Sequence, residues 1–222
     1  MSSSSILRLF TDFICPFCFI AEQSTVPRLL ATYELDLDWC GFELHPETPR
    51  GGRELSTLFP GVDLASLHER TRRFAAQFGV SGIKPPDRIQ SSRRALAVAE
   101  FARVNGRLEA FRAAAFEGHW RQSKNLESDV DLAALAVMAD LDSDGALAAA
   151  DDAVYLARVD TRQAQARSAG ISGIPTFILG QAIIVGCQPY EILAQAAESA
   201  GARPRSASYP PVISEPWVSS CV

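Results

Sequence analysis

The pattern of apolar and polar positions changes several times along the chain, and each change predicts a different element. Residues 6–10 (ILRLF) form a short, mostly apolar run that predicts a buried strand. Helical spacing follows over residues 16–33, where Pro27 predicts a bend because proline has no backbone N–H donor. Ser24 or Thr25 is expected to cap the second half of that helix.

The middle of the chain carries a strand signal and then a long helical signal. Apolar and polar residues alternate over residues 35–44 (LDLDWCGFEL), which predicts a second strand, and residues 45–52 (HPETPRGG) are predicted to form a loop. Apolar and charged residues then mix at helical spacing over residues 61–165, with turn formers between the segments. This pattern predicts an all-helical block.

Strand signals return only near the C-terminus. Two apolar runs within residues 174–186 flank Gly180 and Gln181, a pair that fits a tight hairpin turn with glycine first. A last helix is predicted from Pro189 to Gly201. Together with the earlier elements, these signals predict an α/β fold.

The last residues, 202–222, are rich in proline and serine and are predicted to form a C-terminal arm. Two alternatives stay open for this arm: a frayed end, or a segment that packs on the body or on the second subunit of a homodimer. The second alternative rests on the aromatic and proline side chains of the arm, which are Tyr209, Pro210, Pro211, Pro216 and Trp217.

Composition narrows the possible partners and location. The chain has 26 acidic and 21 basic residues and a formal charge of -5, which argues against nucleic acid as a partner. No run of 18 apolar residues predicts a membrane span, and the start of the chain has no signal-peptide pattern. We therefore expect a cytoplasmic protein with no membrane association.

Two of the five cysteines, Cys15 and Cys18, lie close together in the segment DFICPFC, and three uses of such a pair compete. A zinc site is disfavoured because the sequence has neither a second C-x-x-C pair nor a histidine pair at ligand spacing, so we expect no metal. A structural bridge is disfavoured because closing so short a loop restricts the unfolded chain little. Redox exchange is the interpretation that the residues favour.

The predicted position of the pair, where a strand gives way to a helix, suits redox chemistry. A cysteine at a helix N-terminus has its anion stabilised by free backbone N–H groups, and Cys15 occupies that place. Cys18 lies one turn further on, where it can attack a mixed disulfide at Cys15. We thus predict Cys15 as the nucleophile and Cys18 as the resolving thiol, with Pro16 fixing the turn and Phe17 beside the sulfurs.

The order of these elements, followed by G-I-S-G-I-P-T-F at residues 170–177, resembles the DsbA branch of the thioredoxin superfamily. More narrowly, the chain resembles the FrnE-like DsbA-family oxidoreductases. The resemblance implies a thioredoxin fold with a large all-helical insertion. Residues 1–60 and 166–201 would form a discontinuous thioredoxin-like domain, residues 61–165 the insertion domain and residues 202–222 the arm.

In that family the proline of the I-P-T segment is cis and lies against the cysteine pair. The resemblance therefore implies a cis Ile174–Pro175 bond beside Cys15. Pro175 has no N–H, and the Ile174 backbone can pair with an extended substrate. Ile174 and Pro175, with Pro16 and Phe17, are the predicted substrate-binding residues.

Several other residues have both a functional and an ordinary interpretation. Asp12 could accept a proton during exchange, although an aspartate before a helix more often makes turn or cap contacts. His45 could line the site, or serve the turn that contains it. His119 and Trp120 could cover the cysteines, or pack at a helix end. Cys187 stands where relatives often carry alanine, as a candidate third thiol.

We therefore expect a thiol-disulfide oxidoreductase that acts on protein or small-molecule disulfides, with a redox partner protein and no tightly bound cofactor. One alternative is a glutathione-dependent isomerase or transferase of the 2-hydroxychromene-2-carboxylate isomerase or kappa type, which would use glutathione as a co-substrate. Those enzymes typically carry serine where Cys15 stands. Another alternative is a chaperone-like binding protein in which the cysteines are incidental.

Overall fold

A mixed four-stranded sheet lies at the centre of the fold in the computed structural model, which describes residues 5–205. Its strand order is β2-β1-β5-β6. β1 (Ser5–Thr11) lies parallel to β2 (Leu35–Gly41), whereas β5 (Thr176–Leu179) is antiparallel to both β1 and β6 (Ala182–Val185). The structure confirms the predicted strands and the α/β class.

The two C-terminal strands form the predicted hairpin. Leu179 pairs with Ala182, which leaves Gly180 and Gln181 as a two-residue turn. The φ angle of Gly180 is 57°, a conformation that favours glycine at the first turn position. Helix α10 (Tyr190–Ser199) follows and packs against the first helical segment of the chain.

That first segment is divided into α1 (Pro16–Gln23) and α2 (Thr25–Thr32), and the break lies at Ser24 rather than at Pro27. Our prediction of a bend at Pro27 was wrong for a physical reason. Pro27 lies in the first turn of α2, where a backbone N–H has no intrahelical partner to lose. Ser24 takes the cap position, but its hydroxyl donates to Ile20 O at 2.6 Å and makes no cap bond.

The segment between β2 and β5 is mostly helical, as predicted, but it also contains a small two-stranded sheet. In this sheet β3 (Arg53–Glu54) pairs with β4 (Arg88–Ile89), which lies inside the region predicted to be helical throughout. The helices are α3 (Leu55–Leu58), α4 (Leu64–Gln77), α5 (Arg93–Val104), α6 (Leu108–Gln122), α7 (Asp129–Met138), α8 (Ser143–Asp151) and α9 (Ala153–Ser168).

Aspartates begin several of these helices. The Asp63 carboxylate accepts hydrogen bonds from the N–H groups of Ala65 and Ser66 at the start of α4. Asp142 and Asp152 cap α8 and α9 in the same way. These caps satisfy N–H groups that have no partner within a helix, which explains why the turns between the helices can be short.

One continuous hydrophobic core connects the sheet to the inserted helices. Helix α5 lies inside this core against α6, α8 and α9. Its buried face is built largely from alanine, which lets neighbouring helices approach closely. Of the predicted C-terminal arm, Pro204 forms an isolated bridge with Tyr33, while residues 206–222, with Cys221, lie outside the described residues.

A buried ion pair ties α1 to the insertion. The Glu22 carboxylate, on α1, accepts a hydrogen bond from Trp39 Nε1 at 3.0 Å and lies 3.4 Å from Arg112 Nε, on α6. Both charged side chains are nearly removed from solvent. Burial raises the pKa of Glu22, and the Arg112 charge opposes this shift.

We expect Arg112→Met to lower the free energy of unfolding at pH 8 by about 3 kcal/mol, because it leaves the Glu22 charge buried without its counter-charge. The loss should be smaller at pH 5, since the Glu22 pKa lies above its unfolded value and protonation then favours the folded state. Urea unfolding at the two pH values measures both effects. The control is Arg107→Met, whose exposed pair with Asp140 should contribute less than about 1 kcal/mol. Equal losses for both variants would contradict the prediction.

Candidate active site

The cysteine pair lies at the beginning of α1, directly after β1 has left the sheet. Cys15 is the N-cap residue of this helix, and Pro16 is its first helical residue. The Cys15 N–H donates to Asp12 O at 3.2 Å, which turns the chain from the strand into the helix. The Cys18 N–H donates to Cys15 Sγ at 3.4 Å, so the helix directs a backbone donor at the first sulfur. Both residues are free thiols.

Both thiols of the pair are buried. Cys18 is fully buried, and Cys15 is 2% exposed. Burial is the main cause that raises the pKa of Cys18 well above its usual range, and the neighbouring Cys15 adds to this shift. Cys18 therefore holds its proton at neutral pH, and of the two residues only Cys15 lines the cavity described below.

The Ile174–Pro175 peptide bond is cis, as the resemblance implied, and it lies beside the pair. Cys15 Sγ is 3.9 Å from Ile174 O. Pro175 O accepts a hydrogen bond from Gly186 N at 2.7 Å, which places the following Cys187 in the same region. Burial, and then the neighbouring Cys15, raise the pKa of Cys187 to about 12. A third thiol therefore lies near the pair and keeps its proton.

Phe17 connects the pair to the insertion. Its side chain is 43% exposed, and its ring meets the Phe74 ring of α4 edge-on, with 5.3 Å between the centroids. Trp120, on α6, donates from Nε1 to Phe13 O at 2.7 Å. Helices of the insertion therefore contact the chain on both sides of Cys15.

A cavity of 440 Å³ opens beside Cys15 between the two parts of the molecule. One wall comes from the beginning of α1 and from the cis-proline loop, including Pro16, Phe17 and Ile174. The opposite wall comes from α3, α4, the segment around β4 and the end of α6. Pro175 itself is buried and is not part of this wall. Most of the lining is apolar.

The Asp12 carboxyl group is bound by two segments distant in sequence, and one of its oxygens, Oδ1, is buried without a hydrogen-bond partner in the described part of the chain. Its fully buried Oδ2 accepts hydrogen bonds from Leu44 N at 2.7 Å and from Ser92 Oγ at 3.0 Å. Burial raises the pKa of Asp12 to about 6, although these two bonds oppose the shift. The carboxylate thus joins the end of β1 to the loop after β2 and to the start of α5.

The histidines differ in their surroundings. His119 lines the cavity together with Trp120, and its Nδ1 is 3.3 Å from Lys124 O, while Nε2 has no hydrogen-bond partner. Burial lowers the pKa of His119 to about 4, so this ring is neutral at pH 7. His45 also lines the cavity, and its Nδ1 lies 3.1 Å from Glu47 Oε1.

Sequence reasoning missed the wall that the insertion contributes. Phe59, Leu67, His68, Thr71 and Arg88 all line the cavity, although the sequence shows them only as parts of amphipathic helices and loops. The one available signal was the helical spacing of α4, which places Leu67 and Thr71 on one face. Which face points toward Cys15 depends on tertiary packing.

Neither a metal site nor a membrane helix is evident among residues 5–205. No group of three or more His, Cys, Asp or Glu side chains in this part of the chain is arranged to hold a metal ion. No helix in it has both the length and the apolar character needed to cross a bilayer.

Comparison with known protein families gives a match to the DSBA-like thioredoxin domain over residues 6–198, which is most of the chain. The chain belongs to this family. It is therefore a member of the DsbA-like thiol oxidoreductases, with a thioredoxin fold that carries a helical insertion, as the resemblance implied.

Individual relatives are distant. An uncharacterised Bacillus subtilis protein, YwbO, is 20% identical over 86% of this chain and 94% of its own length. Among solved structures, a probable DsbA oxidoreductase from Streptomyces coelicolor superposes with a TM-score of 0.80 at 24% identity, covering 89% of this chain and 90% of the other.

Two further structures share the fold at lower identity. A 2-hydroxychromene-2-carboxylate isomerase has a TM-score of 0.71 at 18% identity and covers 87% of this chain and 95% of its own. The cytosolic disulfide reductase DsbM from Pseudomonas aeruginosa, solved with GSH, has a TM-score of 0.61 at 17% identity. The match covers 88% of this chain and 96% of the DsbM chain. At these identities the likeness shows the fold alone.

We expect Asp12→Asn to alter the pH dependence of stability. A folded pKa of about 6 against an ordinary value of 3.8 means that ionised Asp12 costs up to about 3 kcal/mol, a cost that disappears as the pH falls through 6 toward 4. Going from pH 8 to pH 4, the native protein should therefore gain about 2.4 kcal/mol of this relative to the variant. Chemical denaturation across this range measures the difference.

The control is Asp63→Asn at the exposed cap of α4. Hydrogen bonds from Ser66 and Ala65 lower the Asp63 pKa, so the sign reverses, and the native protein should lose stability relative to this variant as the pH falls. A pH-independent difference between the native protein and Asp12→Asn would show that burial does not raise the Asp12 pKa.

Proposed function

We propose that this protein is a thiol-disulfide oxidoreductase that works through Cys15 and Cys18. The observation that carries the proposal is the contact of the Cys18 N–H with Cys15 Sγ at the first turn of α1. This contact places the two sulfurs one helical turn apart and favours negative charge on the outer one. The proposed roles are nucleophile for Cys15 and resolving thiol for Cys18.

In the reductive direction, the Cys15 thiolate attacks one sulfur of a substrate disulfide. A mixed disulfide forms at Cys15, and the first substrate thiolate leaves. Cys18 then loses its proton and attacks Cys15 Sγ, which releases the second substrate thiol and forms the Cys15–Cys18 disulfide. The oxidative direction follows the same steps in reverse.

The residues around the sulfurs are proposed to position the substrate. Ile174 O lies 3.9 Å from Cys15 Sγ, close to where the substrate sulfur must arrive. Pro175 brings no N–H donor to this place, so no backbone amide competes for the sulfur. Pro16 and Phe17 form the adjoining edge of the cavity, and Phe17 is exposed enough to contact a substrate.

A second candidate function is a glutathione-dependent isomerase or transferase. It is supported by the fold shared with 2-hydroxychromene-2-carboxylate isomerase and by the GSH in the DsbM structure, which make glutathione a candidate co-substrate. The pair argues against it, because an isomerase of this kind has no use for a resolving thiol. DsbM is named as cytosolic, and a cytoplasmic location for the present protein would favour the reductive direction.

The test is the thiol state of Cys15 and Cys18 after equilibration in a series of glutathione redox buffers, read by alkylation and mass spectrometry. We expect one two-electron transition at a potential between about -120 and -270 mV. In Cys18→Ser a mixed disulfide with glutathione should accumulate at Cys15, because the resolving thiol is gone. Cys40→Ser removes a buried thiol elsewhere and should leave the transition unchanged.

Two other outcomes would reject the proposal. If the native protein stops at a stable glutathione adduct on Cys15, the isomerase becomes the better interpretation. If Cys15→Ser supports full function in the cell, the thiols are incidental and a chaperone-like binding role replaces the redox one.

A further inference from the structure

The burial of Cys15 limits which substrates can reach its sulfur. The residue is 2% exposed, and its side chain forms part of the cavity wall. In a disulfide between two protein cysteines, the Cα atoms lie only about 5.5–6 Å apart, so the substrate backbone must come close to the attacked sulfur. That backbone would have to enter the cavity and leave its polar groups away from water, which is costly.

The cavity has the size and surface of a small-molecule site. Its volume of 440 Å³ lies within the range of about 300–1,000 Å³ that is usual for ligand pockets. Apolar side chains contributed by α1, α3 and α4, among them Phe17, Leu55, Phe59 and Leu67, dominate its lining. Such a surface binds by removing apolar area from water.

The cavity also offers little to a charged ligand. Arg88 is the one lining residue, among those described, that carries a permanent charge. Each of its three nitrogens already has a partner, since Nη1 pairs with Glu54, Nε donates to Gly51 O, and Nη2 donates to Gly52 O at 3.2 Å. His119 is neutral at pH 7 because burial lowers its pKa. The other two lining histidines each lie beside a carboxylate: His45 Nδ1 is 3.1 Å from Glu47 Oε1, and His68 Nε2 is 3.6 Å from Asp87 Oδ1. A carboxylate in this cavity would therefore find, among the described lining residues, no cation without an acidic partner.

We propose that the physiological substrate is a small, uncharged and largely apolar disulfide that is bound in this cavity with one sulfur at Cys15. Folded proteins and glutathione disulfide, which carries several charges, react more slowly, so that glutathione buffers reach equilibrium with the pair only on long incubation. This inference rests on the proposed function, because it takes disulfide exchange at Cys15 as given.

The two thiols supply both electrons that the reduction of the substrate disulfide requires. Cys15 attacks one sulfur, the S–S bond of the substrate breaks, and the first thiolate leaves and takes a proton from water. Cys18 then gives its proton to water and displaces the second thiolate from Cys15. Two electrons pass from the dithiol to the substrate, and the protein ends as the Cys15–Cys18 disulfide.

The experiment is a single turnover of the fully reduced protein with three disulfides. The probes are 4,4′-dithiodipyridine, which is uncharged and aromatic, glutathione disulfide, and insulin. After correction for the intrinsic reactivity of each disulfide with free dithiothreitol, we expect the dipyridyl probe to react at least about tenfold faster than the other two. Equal corrected rates, or a preference for insulin, would overturn the inference.

A variant that fills the cavity tests whether the faster reaction of the dipyridyl probe depends on binding there. Thr71 lines the cavity from α4, and Thr71→Trp should slow the dipyridyl reaction about tenfold or more. Arg73→Trp is the matched control, because Arg73 is exposed on the same helix and does not line the cavity. It should change the rate less than about twofold. A similar effect of both variants would contradict binding in the cavity.

A ligand that cannot undergo exchange provides a test without any mutation. Diphenyl sulfide has the shape of an aryl disulfide but only one sulfur, and it should slow the alkylation of Cys15 by iodoacetamide in a saturable manner. No protection at the solubility limit would contradict the inference. A normal two-electron transition in redox buffers, together with a negative result here, would reject the small-molecule substrate and retain the oxidoreductase.

Discussion

The buried carboxylate of Asp12 is the contact on which the arrangement of the site depends. It accepts hydrogen bonds from Leu44 and Ser92, which belong to the loop after β2 and to the start of α5. Three distant segments therefore converge on one side chain, three residues before Cys15. Its ionised form is costly to bury, and burial accordingly raises its pKa to about 6. The backbone carbonyl of the same residue accepts the Cys15 N–H at the turn that begins α1.

The site is built at the contact between two parts of the chain. The sheet and α1 supply the thiols and the cis-proline loop, while the inserted helices supply the other wall of the cavity. Besides the Asp12–Ser92 bond, the contacts that hold these parts together include the Glu22–Arg112 pair, the Trp120 indole bond to Phe13 O, and the Phe17–Phe74 ring contact. Because Phe13 and Phe17 each lie two residues from Cys15, the position of the insertion determines the shape of the space in front of the sulfur.

Local chemistry explains what the sequence could predict. The cysteine pair, Pro16 and the hairpin at Gly180 are recognisable because each depends on a few neighbouring residues and a known backbone requirement. The cis Ile174–Pro175 bond came from the family resemblance, since base rates favour trans. The break at Ser24 was missed because the bend was predicted at Pro27. A proline in the first turn of a helix removes no intrahelical hydrogen bond, so Pro27 does not bend α2.

The far wall of the cavity was beyond prediction for a different reason. Leu67 and Thr71 are ordinary amphipathic helix positions, and only packing decides that they face Cys15. The same holds for Asp12, whose partners are 32 and 80 residues away in sequence. Periodicity identifies a helix and its apolar face, but the partner of that face is set by the tertiary fold.

The full burial of Cys18 has a consequence for the proposed exchange of electrons between the cysteine pair and its surroundings. Because this thiol keeps its proton at neutral pH, reduction of a Cys15–Cys18 disulfide would also bring a proton into the interior, and its oxidation would carry one out. The proposed electron transfer is thus coupled to proton transfer. A lower pH makes the reduced pair easier to form and harder to oxidise.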